Sequence, residues 1–412
     1  MSEAEQVGVD WEPDQAELEA IHAGSAEIVR ETPAMTLGAL SRICGGEVVL
    51  KAESMQRTGS FKLRGTVAKM RGRSAADCRG VVAGSAGNHG QALAFAARER
   101  GIPCTVFMPD DATVSKVDAV RAFGAEVRAH PGSVDDCVAA ARELAAEEDL
   151  LFVHPFDDSE VIKGQAGVGV ELARQVPDLA RVVVPVGGGG LITGVAAALR
   201  TRPAVEVVGV QAAGCPSFGQ SLEAGEPRAV SGAQTIADGI AVKKPGTLTF
   251  GLVKRWVEEL VTVDDDAIAA AMVLLLERGK LVAEGAGAVG VAALMTGAVR
   301  PAASGATAVV ISGGNVDASM LASVINRHQT GIGRRVRLFS RISDRPGGLV
   351  AFLRNVADSG GNVLDVTHVR DGVPLHVKET GVEVVVESRG EDHREELLAH
   401  LRESGYEVVE LS

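Results

Sequence analysis

The chain has 412 residues, enough for two or three domains and a large buried core. Its net charge of −13 disfavours nucleic acid or an anionic membrane as the main partner, and aromatic residues at only 3% leave little to stack bases on. No apolar run reaches the ~18 residues of a membrane span. The acidic opening MSEAEQVGVDWEPDQAE is not a secretory leader. The cysteines at 44, 78, 104, 137 and 215 show no CxxC spacing, so a cytoplasmic chain with reduced thiols and no metal site is expected.

From about residue 15 to 320, short apolar runs alternate with alanine-rich helical stretches. GVVAGS (80–85) predicts a strand and NHGQALAFAARERG (88–101) a helix. CTVFMP (104–109) is strand-like, and SKVDAVRAFG (115–124) is a helix stopped by glycine. EVRAH (126–130), RVVVPVG (181–187), EVVGVQ (206–211) and TAVVISGG (307–314) are further strands. Such alternation specifies parallel sheets with helices on both faces, whose ligands gather at the carboxyl ends of the strands. Past about residue 330 the pattern changes. RRVRLFSRISD (334–344), NVLDVTHVRD (362–371), GVEVVVESRG (381–390) and YEVVEL (406–411) read as strands. Helices LVAFLRNVADSGG and EDHREELLAHLRESG lie between them, a ferredoxin-like β-α-β-β-α-β order. No fixed-period repeat or low-complexity linker is present.

Five short motifs carry the chemistry. In TGSFKLRG (58–65), Lys62 lies between Phe61 and Leu63. It is either a surface lysine on an amphipathic helix or an amine made nucleophilic by desolvation. SAGNHGQALA (85–94) joins a strand to a helix through small residues, as an ordinary turn or as a set of free N–H groups for a carboxylate or phosphate. In PVGGGGLITG (185–194) four glycines sit between a strand and a helix, which suits close backbone approach to a phosphate. The spacing Gly188-x-Gly190-x-x-x-Gly194, with Gln211 where a ribose-binding acid would be wanted, disfavours a dinucleotide. VVISGGN (309–315) ends a strand with Ser312, a ligand contact or a helix cap. AEGAGAVG (283–290) places Glu284 in an otherwise apolar stretch. A nucleophilic lysine, a phosphate cradle without the dinucleotide pattern and a serine-ended strand together suit pyridoxal 5′-phosphate.

With QRTGSFKLRG, SAGNHGQALA, GGGGL, TIADGIAV and SGGN in this order along the sequence, the chain resembles the fold-type II pyridoxal-phosphate family, most closely its medium-length threonine dehydratases (threonine ammonia-lyases). The resemblance implies two parallel-sheet α/β subdomains of the tryptophan synthase β-like fold. Residues 1–330 would form the catalytic domain, with a small subdomain at about 52–155, and residues 334–412 an ACT regulatory domain. Lys62 would form the Schiff base, Phe61 would pack by the cofactor ring and Asn88 would bond the pyridoxal 3′-oxygen. Gly187, Gly188, Gly189, Gly190 and Leu191 would hold the phosphate, and Ser312 would meet the pyridine nitrogen. Ser85, Ala86, Gly87, Asn88 and His89 would bind the substrate carboxylate. Gly239 would lie near the ring, and Glu284 would line the site. The implied reaction is β-elimination from L-threonine to 2-oxobutanoate and ammonia, and from L-serine to pyruvate. A homodimer or homotetramer with an amino-acid effector at the ACT domain is also implied. Serine racemase is the near alternative. Its second-face proton donor would be a serine where this chain has Ala86, and its metal-binding acid is replaced by Gln211. A catalytically inactive amino-acid sensor is a further alternative, against which the intact Lys62, Asn88, glycine loop and Ser312 argue.

Overall fold

The computed structural model describes residues 11–370 and 375–411. The first ten residues of the acidic opening, and residue 371 at the end of one expected strand, lie outside them. The chain divides into two compact units, Met1–Asp317 and Ala318–Ser412.

Among its described residues the first unit holds ten strands: β1 (Ala34–Thr36), β2 (Val48–Ala52), β3 (Val81–Gly84), β4 (Cys104–Pro109), β5 (Glu126–His130), β6 (Leu151–Phe152), β7 (Leu179–Pro185), β8 (Glu206–Ala212), β9 (Glu259–Val263) and β10 (Ala306–Ile311). Six form a sheet in the order β1-β2-β10-β7-β8-β9, parallel except for β1. The other four form a parallel sheet, β5-β4-β3-β6. The valine-rich strands β3 and β10 are buried at every position, as strands covered by helices on both faces must be. Two parallel sheets with helical crossovers are the α/β architecture expected. Strands β2, β3, β7 and β10 all end at loops that enter the helices or turns carrying the motifs.

Strand β2 is buried throughout although it contains Lys51. The reason is a fully buried cluster of four charges. Lys51 Nζ donates to Glu171 Oε2 at 2.5 Å, to Gln175 Oε1 at 2.8 Å and to the main-chain oxygen of Thr32 at 2.6 Å. Arg64 makes paired bonds to Glu53 (2.8 and 2.8 Å) and to Glu171 (2.7 and 2.8 Å). Burial works to raise the Glu171 carboxyl, but Arg64 and Lys51 overcome it and hold it below the usual carboxylate range. The two positive and two negative side chains therefore neutralise one another where water is absent. Arg64 lies in the helix Lys62–Lys69, so the cluster ties the first turn of that helix to β2 and to the helix Gly167–Gln175. Gly65 and Gly164 let the same helix cross Ser159–Gln165 closely: a Cβ on Gly164 would lie 2.4 Å from the Arg64 carbonyl oxygen.

The second unit contains the helix Ala318–Gly331 and an antiparallel sheet, β12-β13-β11-β14, formed by β11 (Arg335–Ser343), β12 (Asn362–Val369), β13 (Glu379–Glu387) and β14 (Val408–Glu410). Helices Gly348–Asp358 and Glu391–Glu403 complete the β-α-β-β-α-β order. Along β11 buried and more exposed residues alternate, with Val336, Leu338, Ser340 and Ile342 turned inward. Valines 382, 384 and 386 and Leu397 and Leu401 share that core.

Arg64→Met removes the cation between two buried carboxylates. The expected loss is about 3–5 kcal/mol of stability, read as a lower urea midpoint. An unchanged midpoint would show that the cluster contributes nothing to holding the fold.

Candidate active site

The motifs converge at the carboxyl ends of the strands. The loop after β2 runs through Thr58, Gly59 and Ser60 into the helix that begins at Lys62. It is stitched to the loop after β10: the Phe61 N–H donates to the Ser312 carbonyl at 3.0 Å, the Gly314 N–H donates to the Gly59 carbonyl at 2.9 Å, and Ser60 bridges Gly313. Ser312 is 3% exposed. Phe61 packs against the core of the six-stranded sheet, and Lys62 Nζ lies 5.2 Å from its ring centroid.

Lys62 Nζ donates to the Pro155 carbonyl at 2.7 Å. Burial, opposed by the nearby Glu284 carboxylate, brings its amine down to about 8. Lys62 is thus not a fully solvated surface lysine, and a lowered amine suits a nucleophile. His89 Nε2 meets the Val153 carbonyl at 2.8 Å. A carbonyl only accepts, so Nε2 carries the proton and His89 is neutral, its pKa pushed to about 3 by burial and Lys62. His154 uses Nδ1 to accept from the Phe156 and Asp157 N–H groups at 3.2 and 2.8 Å, and burial likewise pushes it to about 3.

In the loop after β3, Ser85 Oγ accepts from the N–H groups of Gly87 (3.2 Å) and Gly90 (3.1 Å). Among the described residues the N–H groups of Ala86, Asn88 and His89 have no protein acceptor. Those three N–H groups could meet an anion. Asn88 opens the helix Asn88–Glu99; its Nδ2 donates to Glu284 Oε1 at 2.7 Å, and its Oδ1 accepts from Asn315 Nδ2 at 2.7 Å. Gly239 sits in the turn Asp238–Ile240, where a Cβ would be 3.6 Å from Glu284 Oε1. Burial raises the Glu284 carboxyl to about 7, against the hydrogen bond from Asn88.

The loop after β7 is buried and only glycine fits it. Gly189 has φ +89°, and a Cβ there would lie 2.7 Å from the Phe218 ring. A Cβ on Gly188 would lie 2.2 Å from the Phe156 ring, and one on Gly187 2.8 Å from Ile240 Cα. Among the described residues no N–H of Gly187, Gly188, Gly189, Gly190 or Leu191 donates to a protein acceptor. The helix Gly190–Leu199 starts here, so these free donors lie at its positive end. Gln211 is buried, accepts from the Gly219 N–H at 3.1 Å and donates to the Val186 carbonyl at 3.4 Å. Among the described residues no group of three or more His, Cys, Asp or Glu side chains is placed to hold a metal. No described helix is long and apolar enough to cross a membrane.

Residues 26–314 match the family described as pyridoxal-phosphate dependent enzymes. The L-threonine ammonia-lyase of Thermotoga maritima is 45% identical over 92% of this chain and 95% of its own. Among solved structures, a threonine deaminase of T.th. superposes with TM-score 0.69 at 36% identity, over 74% of this chain and 99% of that one. Maize serine racemase superposes with TM-score 0.72 at 31% identity, over 78% and 99%. The chain belongs to the pyridoxal-phosphate dependent enzymes of fold type II. Its site fits that cofactor: Lys62 bonds the Pro155 carbonyl, and the next residue, Phe156, packs on a glycine loop of free N–H groups that no larger residue could form. The Oγ atoms of Ser60 and Ser217, the Oγ1 atoms of Thr58 and Thr193 and the Nδ1 of His89 are buried without a protein partner, leaving polar atoms for a polar ligand.

Two participants escaped the sequence reading. The Pro155 carbonyl is main-chain and gives no residue-type signal. Asn315 was visible only as the last letter of SGGN, with no hint that it reaches Asn88 across 227 positions.

The lowered Lys62 amine has a direct consequence. Addition to an aldehyde needs the free base, which an ordinary lysine reaches only near pH 10.5 and Lys62 near 8. Uptake of pyridoxal phosphate by the cofactor-free protein should accelerate as pH rises through about 8 and then level off. Stopped-flow absorbance would follow it, and a rate still climbing steeply at pH 10 would show an unshifted lysine.

Proposed function

We propose that this chain deaminates L-threonine to 2-oxobutanoate and ammonia, with L-serine as a second substrate giving pyruvate. The observation that carries the reading is the desolvated Lys62 beside a glycine loop, in a chain nearly half identical to an L-threonine ammonia-lyase along almost its whole length. Pyridoxal phosphate, joined to Lys62 when bound, supplies the electron sink for breaking the Cα–H bond. The N–H groups of Gly187 to Leu191 would hold its phosphate, Asn88 its 3′-oxygen and Ser312 its pyridine nitrogen, with Phe61 and Gly239 beside the ring.

The N–H groups of Ala86, Asn88 and His89 bind the substrate carboxylate and so orient Cα toward Lys62. Once released by the substrate amine, Lys62 Nζ takes the Cα proton, for which an amine near 8 is well matched at neutral pH. The β-hydroxyl departs as water. Addition of a second water releases ammonia and the 2-oxo acid, so atoms balance over the cycle. With a pKa near 3, His89 is too weak to serve as a second base. Racemisation needs a proton donor on the other face of the ring, and the Ala86 methyl provides none, which separates this chain from the racemases whose fold it shares.

The same reading takes residues 52–155 as the small catalytic subdomain and 334–412 as an ACT-type module. Gly347, at φ +92°, opens the helix Gly348–Asp358 and would present N–H groups to an amino-acid effector. A cytoplasmic homodimer or homotetramer follows from the resemblance.

Two experiments test these readings. Purified protein with pyridoxal phosphate should release 2-oxobutanoate from threonine, and Lys62→Ala should lose about 10³-fold or more in kcat. Lack of turnover by a cofactor-loaded wild type would refute the assignment. Isoleucine or valine should shift threonine saturation of the full chain but not of one ending near residue 333. Superimposable curves would leave the second unit a structural module.

A further inference from the structure

We propose that Asn315 and Glu284 are positioning residues that fix which end of the Asn88 amide faces the cofactor. The proposal rests on the site being a pyridoxal-phosphate centre. The constraint begins at a main-chain atom. The Thr58 carbonyl oxygen has only lone pairs, and Asn315 Nδ2 donates to it at 2.8 Å. Asn315 therefore presents its NH2 group on that side. The same nitrogen reaches Asn88 Oδ1 at 2.7 Å and Gln91 Oε1 at 3.4 Å. Asn88 must then turn its oxygen to Asn315 and its NH2 group the other way, where Nδ2 donates to Glu284 Oε1 at 2.7 Å. Glu284 closes the ring through its own N–H, which donates to the Gly313 carbonyl at 3.1 Å.

Two glycines make room for this ring. A Cβ on Gly59 would lie 2.2 Å from Asn315 Oδ1, and one on Gly313 2.2 Å from Glu284 Oε1. Gly59 of TGS and Gly313, the first glycine of SGGN, are thus accounted for by the two side chains they admit. A flipped Asn88 would set its oxygen against the Glu284 carboxylate and its NH2 against that of Asn315, unfavourable on both sides. In the observed orientation one N–H of Asn88 Nδ2 goes to Glu284. The second is left for an acceptor such as the 3′-oxygen, so polarity set at a main-chain carbonyl reaches the cofactor through two amides.

Asn315→Asp replaces the donor with an oxygen and should turn the Asn88 NH2 toward position 315, leaving a carbonyl for the cofactor. Titration of cofactor-free protein with pyridoxal phosphate should then show affinity about tenfold or more weaker, with a shifted visible band. Glu284→Ala should weaken affinity similarly, whereas Glu284→Gln keeps an oxygen facing Asn88 and should restore near wild-type affinity and spectrum. A purely structural role would instead lower the melting temperature of the cofactor-free variants and leave the band in place. If Asn315→Asp does not fold, the Glu284 pair decides alone. Unchanged affinity and spectrum in Asn315→Asp and Glu284→Ala, or Glu284→Gln as defective as Glu284→Ala, would overturn the proposal. Failure of the wild type itself to take up the cofactor would instead overturn the reading of the site.

Discussion

Arg64 between Glu53 and Glu171 is the constraint on which the rest of the first unit depends. A guanidinium and two carboxylates without water are tolerable only when all are paired, because a single unpaired charge costs several kcal/mol in such a place. The geometry meets that condition fully, with both carboxylates held bidentately and Lys51 added on Glu171. Arg64 stands two residues from Lys62 in one helical turn, so fixing one fixes the backbone of the other. Lys62, the proposed Schiff-base lysine, thus hangs from an anchored segment, with its amine donating to the Pro155 carbonyl.

The same helix shows what sequence makes visible. The apolar neighbours of Lys62 and the glycines after β7 are local signals, and reading them physically leads to a lysine nucleophile and a phosphate cradle. The alternation over 80–130 and 181–314 was equally legible, because buried parallel strands are short runs of valine, isoleucine and alanine. What escaped was non-local. Strand β2 contains a lysine that becomes intelligible only once Glu171, 120 positions away, is placed beside it. Strand β9, ELVTV, is a partly exposed edge whose pattern suits a helix end as well as a strand. In the second unit the β-α-β-β-α-β order was readable because β11 alternates cleanly between a covered and an open face.

Local reading also leaves the donors of the loop after β3 undivided. Five residues, Ser85 to His89, are equivalent on paper. In the fold, Ser85 Oγ engages the N–H groups of Gly87 and Gly90, and the His89 ring is committed to Val153. The serine shapes the turn, and three main-chain donors are left free. A carboxylate met by neutral N–H groups at a helix start suits a chain whose overall charge is strongly negative, since the attraction is built within the first turn and does not rely on the long-range field.

These features leave Lys62 and Glu284 as the ionisable pair of the site. The two histidines nearest Lys62 are neutral at any physiological pH, each with a ring nitrogen engaged by the main chain. Burial moves the lysine down to about 8 and the glutamate up to about 7, and each acts on the other. Protonation of Glu284 also removes the negative charge that holds the Asn88 NH2, while Asn315 still holds the oxygen. A protonated Glu284 still offers an oxygen to that NH2, so both partners keep the amide orientation through the titration.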